Sequence, residues 1–115
     1  MAAMTLGADR LRVSGELRVL GDKSISHRAL LLAALAGGRS TVHGVLRSAD
    51  IESTARVLRA LGVALTPLDL TTHIDGRGLR GLLPATEALD CGNSGTTARL
   101  MLGILAAHPF AATLI

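Results

Sequence analysis

The chain has 115 residues, the length of one modest domain. Apolar residues make up 49% of it, yet there is one Phe and no Trp or Tyr, so any core must be aliphatic. The formal charge of +3 rests mostly on dispersed Arg; with no aromatics interleaved to stack bases, this argues against nucleic acid and leaves a solvated surface or a small anionic ligand.

In chain order, the N-terminus MAAMTLGADRLRV lacks the apolar stretch of a signal peptide. Leu11 to Gly21 alternates apolar and polar residues around Gly15, which predicts a strand or short hairpin. A first helix begins near Asp22 to Ser24 and stops at Gly37-Gly38, which suit a C-terminal cap. Ser40 to Leu46 reads as a strand. Ser48 then caps a second helix over Ala49 to Leu61, with Ile51, Ala55, Leu58 and Leu61 at helical spacing and Glu52, Arg56 and Arg59 mostly outward. Gly62 ends that helix. Val63 to Leu65 and Leu70 to Asp75 are short strand candidates, and GRGLRGLLP is turn-rich. A last helix runs from about Ser94 to Ala107, before Pro109. Phe110 to Ile115 reads as a strand, and the abrupt stop at AATLI suggests part of a longer chain. Alternating helices and strands imply an α/β architecture. The longest apolar runs, Ala29 to Ala36 and Leu100 to Ala107, fall short of the ~20 residues a membrane span needs. The lone Cys91 allows no internal disulfide and reads as a small buried hydrophobe in a reducing compartment. These features predict a cytoplasmic protein with no membrane partner.

A repeat emerges when the sequence is shifted against itself by 71 residues. GDKSISHRALLLAAL (Gly21 to Leu35) then overlies GNSGTTARLMLGILA (Gly92 to Ala106), with Gly21 on Gly92, Ser26 on Thr97 and Arg28 on Arg99. Each copy passes from a Gly/Ser/Thr-rich start, through one Arg, into an apolar run that marks a buried helix. The first N–H groups of a helix lack internal partners, and the dipole adds positive charge there. Gly removes bulk, hydroxyls donate, and Arg supplies a fork, so each start suits a phosphate or carboxylate. Ser24 and Arg28 lie on one helical face. One copy alone reads first as an ordinary cap; two copies point to a ligand, or ligand pair, with two anionic groups.

Other motifs fail. GRGLRG (Gly76 to Gly81) has the dinucleotide pattern, but Pro84 follows where a helix should open, so it reads as a turn. GDKS lacks the spacing of a P-loop. His27, His43, His73 and His108 show no metal-like spacing, and structural or solvent-facing roles suit them, although His27 sits beside the anion site. Asp50 and Glu52 read as acids at a helix start.

The stretches GDKSISHRALLLAALAGG and LDCGNSGTTARLMLGIL, with SADIESTARVLRALGV between them, resemble the N-terminal signatures of the 5-enolpyruvylshikimate-3-phosphate synthase family. The resemblance covers about Leu11 to Ile115. It implies a fold of repeated βαβαββ units in a two-domain inside-out barrel, of which only the first one and a half units are present here. Residues 1–20 would be a strand segment belonging to the second, C-terminal domain, and residues 21–115 the first part of the N-terminal substrate-binding domain. The implied reaction transfers the enolpyruvyl group of phosphoenolpyruvate to the 5-hydroxyl of shikimate 3-phosphate, releasing phosphate through a tetrahedral intermediate, with no metal or organic cofactor. By resemblance Lys23 contacts both substrates and stabilises charge. Ser24 and Arg28 bind shikimate 3-phosphate. Gly95 leaves room for phosphoenolpyruvate, Asn93 and Thr96 shape its pocket, and Arg99 supports it. The full-length enzyme would be a monomer.

Two departures bear on this. Leu20 stands where the family commonly has Pro, which loosens the turn before GDKS. The next phosphoenolpyruvate-binding Arg and the C-terminal carboxylates and basic residues lie beyond Ile115, so these residues alone are not expected to catalyse. A UDP-sugar enolpyruvyl transferase and a non-catalytic anion-binding fragment are the alternatives.

Overall fold

In a computed structural model, residues 3–5, 7 and 12–115 are described. The elements are α1 (Lys23–Leu35), β1 (Gly37–His43), α2 (Ala49–Ala60), β2 (Ala64–Leu65), β3 (Thr71–Arg77) and α3 (Gly95–Leu105). The three strands form an antiparallel sheet in the order β1-β3-β2. Period-2 alternation gives β3 a buried face at Thr72 and Ile74, while Thr71 and Asp75 face out. Opposite them, Arg39 pairs with Asp75 and Thr41 with His73 on the polar face. α1 lies on β3 and against α2, and α3 packs chiefly on α2. The core is aliphatic, as composition requires, with Leu30, Ile51, Leu58, Leu61, Ile74, Leu89 and Met101 buried.

α2 follows its sequence pattern. Ser48 accepts the Ile51 N–H at 3.4 Å, Ile51, Ala55 and Leu58 are buried, and Glu52, Arg56 and Arg59 are exposed. Gly62, at φ 91°, turns the chain out of the helix. The end of α1 departs from expectation. Gly37 and Gly38 do not cap it but open β1, paired with Arg77 and Gly76. The cap is Ala36, in extended conformation, whose carbonyl accepts the Gly78 N–H at 3.0 Å. The orphan carbonyl at the helix end is thus satisfied by the end of β3, which frees the glycines for the sheet. Gly76 makes this possible, because a Cβ there would collide with the carbonyls of Ala33 and Ala36.

Three other expectations change. The strand or hairpin expected over Leu11 to Gly21 is absent from its described part: residues 12–20 carry no regular structure, and Val13, Leu17, Val19 and Leu20 are exposed. Leu11 lies outside the described residues. A strand needs a partner for its backbone groups, and none lies alongside among the described residues. Phe110 to Ile115 pairs only at its end, where Leu89 N–H donates to Thr113 O at 2.7 Å and Ile115 N–H to Leu89 O at 3.0 Å. That bridge is parallel, with α3 as the crossover between its two segments. Neither terminal helix is covered all round: Leu32 of α1 is exposed, and α3 buries only Thr97 and Met101 and exposes Leu102.

Gly76 and Arg77 close β3, and residues 78–81 form the turn after it, with no helix behind it. No helix among the described residues is long and apolar enough to cross a membrane.

Two glycines separate steric from conformational effects. Gly76→Ala should lower stability by about 3 kcal/mol, the scale of an overpacked interior. Gly103→Ala, in α3 with open space around it, should raise stability by about 0.5–1 kcal/mol. Urea unfolding midpoints check both.

Candidate functional site

Three helices begin at one end of the molecule. Asp22 caps α1 by accepting the Ile25 N–H at 2.8 Å, Ser48 caps α2, and Ser94 caps α3 by accepting the Thr97 N–H at 3.1 Å. The caps of the two repeated helices fall one residue out of the 71-residue alignment, since Asp22 overlies Asn93 rather than Ser94. The repeat therefore preserves the helix start but not the residue that makes it. The α1 cap is a carboxylate, which already answers part of that dipole. Attraction for an anion at this start rests on Lys23 and Arg28 rather than on the helix alone.

The starts are joined directly. Lys23 Nζ donates to Asp50 Oδ2 at 3.0 Å, tying the first turn of α1 to the first turn of α2. Asp50 was readable as a helix-start acid; its second role, holding Lys23, was not. Beneath this half-exposed pair runs a buried chain. His27 Nδ1 lies 2.7 Å from Thr54 Oγ1, Thr54 Oγ1 lies 2.8 Å from Thr97 Oγ1, and Thr97 Oγ1 donates to Ser94 Oγ at 2.8 Å. His27, Thr54 and Thr97 are fully buried. One residue from each helix is thus linked in series, ending on the α3 cap.

Proton counting orders this chain. With the Thr97 hydroxyl donating to Ser94, Thr97 accepts from Thr54, and Thr54 accepts from His27 Nδ1–H. His27 Nε2 is then the unprotonated nitrogen. It is buried with no partner, and an acceptor lone pair left without a donor there is better tolerated than an orphaned N–H. Burial pushes the His27 pKa below its usual 6.5, Asp50 pulls it up, and Lys23 and Arg28 add to the lowering. The ring is held neutral, in the structural role its sequence position allowed.

The other candidates surround these starts. Ser24 is exposed, and its carbonyl accepts from Arg28 Nη1 at 3.1 Å. Arg28 also borders a cavity of about 300 Å³ with Leu32, Leu100 and Ile104, which places α1 and α3 side by side. Asn93 and Arg99 are exposed, and Thr96 is half-buried. Gly95 is exposed at the first position of α3, and a Cβ built on it would meet nothing within 4 Å. No neighbour among the described residues therefore requires glycine there. No cluster of three metal-ligating side chains occurs among the described residues.

Thr54 and Thr97 escaped the sequence reading. The signal for Thr54 is its place on the apolar stripe of α2, between Ile51 and Leu58: a hydroxyl in a core position needs a partner. Thr97 overlies Ser26 in the repeat, and both hydroxyls fasten their helix to another segment. Ser26 Oγ accepts the Leu46 N–H at 3.0 Å.

Comparisons with known proteins give the family of the chain. The sequence profile of EPSP synthase (3-phosphoshikimate 1-carboxyvinyltransferase) matches residues 8–115. The 3-phosphoshikimate 1-carboxyvinyltransferase of Lactiplantibacillus plantarum is 48% identical over 103 residues, 90% of this chain and 24% of its own. That of Gloeobacter violaceus is 54% identical over 99 residues, 85% of this chain and 23% of its own. The solved EPSP synthase from Acinetobacter baumannii superimposes with a TM-score of 0.83 at 38% identity, over 88% of this chain and 23% of that one. The chain spans about a quarter of the length of the relatives it matches. A profile match over nearly all its residues, with a shared fold at that identity, shows that the chain belongs to the EPSP synthase family.

Proposed function

We propose that these residues supply one wall of an active site that transfers the enolpyruvyl group of phosphoenolpyruvate to the 5-hydroxyl of shikimate 3-phosphate, with release of phosphate. The observation that carries this reading is the union of two helix starts: GDKSISHR at α1 is joined to GNSGTTAR at α3 through Thr54 of α2, and Lys23 at the α1 start is tied to Asp50 at the start of α2. Two anionic substrates need two such starts within reach of one another.

In this reading Ser24 and Arg28 bind shikimate 3-phosphate. Lys23 touches both substrates and exchanges Asp50 for substrate oxygens as charge builds in the addition step. Gly95 keeps space for phosphoenolpyruvate, Asn93 and Thr96 line that space, and Arg99 supports it. The exposed apolar residues of segment 12–20 fit a strand that pairs with the second domain of the family, so that residues 1–20 and residues 21–115 serve different domains. Complete, the enzyme would work as a cytoplasmic monomer without metal or organic cofactor.

The test is a chimera in which these residues replace the matching quarter of the Gloeobacter violaceus relative. It should release phosphate from phosphoenolpyruvate when shikimate 3-phosphate is present. Activity with UDP-N-acetylglucosamine in its place, or none with either acceptor, would overturn the reading. In the active chimera, Lys23→Met should lower kcat/KM by roughly 10²-fold or more, the scale of losing a charge-stabilising donor, with an unchanged unfolding midpoint. Gly95→Ala should raise KM for phosphoenolpyruvate about tenfold, the scale of one unfavourable contact. Its unfolding midpoint should also hold, because the added methyl meets no atom within 4 Å among the described residues.

A further inference from the structure

We propose that His27, Thr54 and Thr97 are positioning residues whose buried hydrogen-bonded chain sets the spacing between the start of α1, with Lys23, and the start of α3, with Gly95. This rests on the transferase reading above and goes beyond it, because none of the three is among the residues that would touch substrate.

The argument is geometric. α1 and α3 are neighbours along an apolar groove lined by Leu31, Leu32, Leu35, Leu100 and Ile104. Across that groove the two helices barely touch; each packs instead on α2, through aliphatic contact that is non-directional and tolerates sliding. Direction comes only from hydrogen bonds, and the chain from His27 through Thr54 and Thr97 to Ser94 is the buried path that crosses all three helices. It enters α1 four residues after Lys23 and leaves on Ser94, the residue before Gly95. A shift of either helix would break a bond that buried groups cannot replace with water. The Lys23–Asp50 pair cannot do this work, because it is half-exposed and its cation is needed by substrate.

The chain also requires a neutral His27. Protonation would put a second N–H on Nε2, which is buried and has no acceptor. The charges that face the ring are Asp50 from α2 and Lys23 and Arg28 from its own helix, while α3 presents the Thr97 hydroxyl. Burial outweighs Asp50 and lowers the pKa from 6.5. The neutral ring is therefore fully present above about 6.5 and is lost as pH falls through the lower folded-state value.

In the active chimera, Thr54→Val keeps the volume and removes the link. KM for both substrates should rise roughly tenfold with kcat within about twofold, the scale of one buried hydrogen bond lost from alignment. His27→Leu should behave alike. His27→Asn, whose amide can donate to Thr54 and does not titrate, should restore KM to near the parent value. The parent-to-Asn ratio of KM should stay flat at pH 6.5 and above and climb only as pH falls through the lowered folded-state pKa of His27, and taking the ratio cancels titration of the substrate phosphates. A fall in kcat at unchanged KM would mean only less folded enzyme and would overturn the positioning role. So would an Asn variant as poor as Leu, or a ratio that stays flat down to the pH where the fold is lost. An inactive parent chimera would sink the transferase reading, and the buried chain would then stand or fall on the tautomer of its ring. Imidazole ¹⁵N shifts of the full 115-residue chain report the tautomer directly. A neutral ring protonated at Nδ1 is expected, and a proton on Nε2 would overturn the ordered chain.

Discussion

The arrangement of this chain depends on one dry hydrogen-bonded path, from the His27 ring through two threonine hydroxyls to the cap of α3. Each link is worth only about 1 kcal/mol net, yet leaving one buried partner unpaired costs about 1–3 kcal/mol. That asymmetry makes the path a constraint rather than an attraction. The helices could pack on aliphatic surface in several registers, but only one register satisfies all four side chains. The ion pair above it, Lys23 with Asp50, is of the half-exposed kind worth about 0–1 kcal/mol and easily exchanged. The buried path fixes the frame, and the exposed pair keeps the working cation available within it.

Sequence pattern disclosed what local chemistry controls. Ser48, the Ile51–Ala55–Leu58 stripe and Gly62 delimit α2 because cap, period and left-handed stop all act within a few residues. The two signature helices were visible for the same reason, as was the turn at Gly78–Gly81. What failed was non-local. Gly37-Gly38 looked like a helix stop, but Gly78, some forty residues on, supplies the N–H that ends α1. Residues 12–20 alternate like a strand, and alternation alone cannot supply the edge on which a strand depends. The bond between Thr54 and Thr97 spans 43 positions, so no window on the sequence contains it. Its only local trace was a hydroxyl on an apolar stripe.

The candidate site divides in the same way. Lys23, Ser24, Arg28 and Gly95 stand out by residue type, because small, hydroxylic and cationic residues at a helix start have a direct electrostatic meaning. Asp50, His27, Thr54 and Thr97 carry no such mark. Each would be unremarkable alone, and each acquires its role only from what the fold sets opposite it.

This division also accounts for the contrast between the polar start and the apolar body of α1. A cation that must meet substrate has to stay solvated and exchangeable, which denies it any firm hold on the fold. Precision has to come from one turn deeper, where water is excluded and an unmade hydrogen bond is expensive. The ring of His27 is itself fully buried there, and it uses that exclusion of water to hold direction. Substituting an apolar residue for His27 would keep the burial but lose the register, while a charged residue there would lose both. A neutral side chain with one correctly placed donor is the narrow chemical class this position allows, so the greasy helix carries one titratable ring at its core.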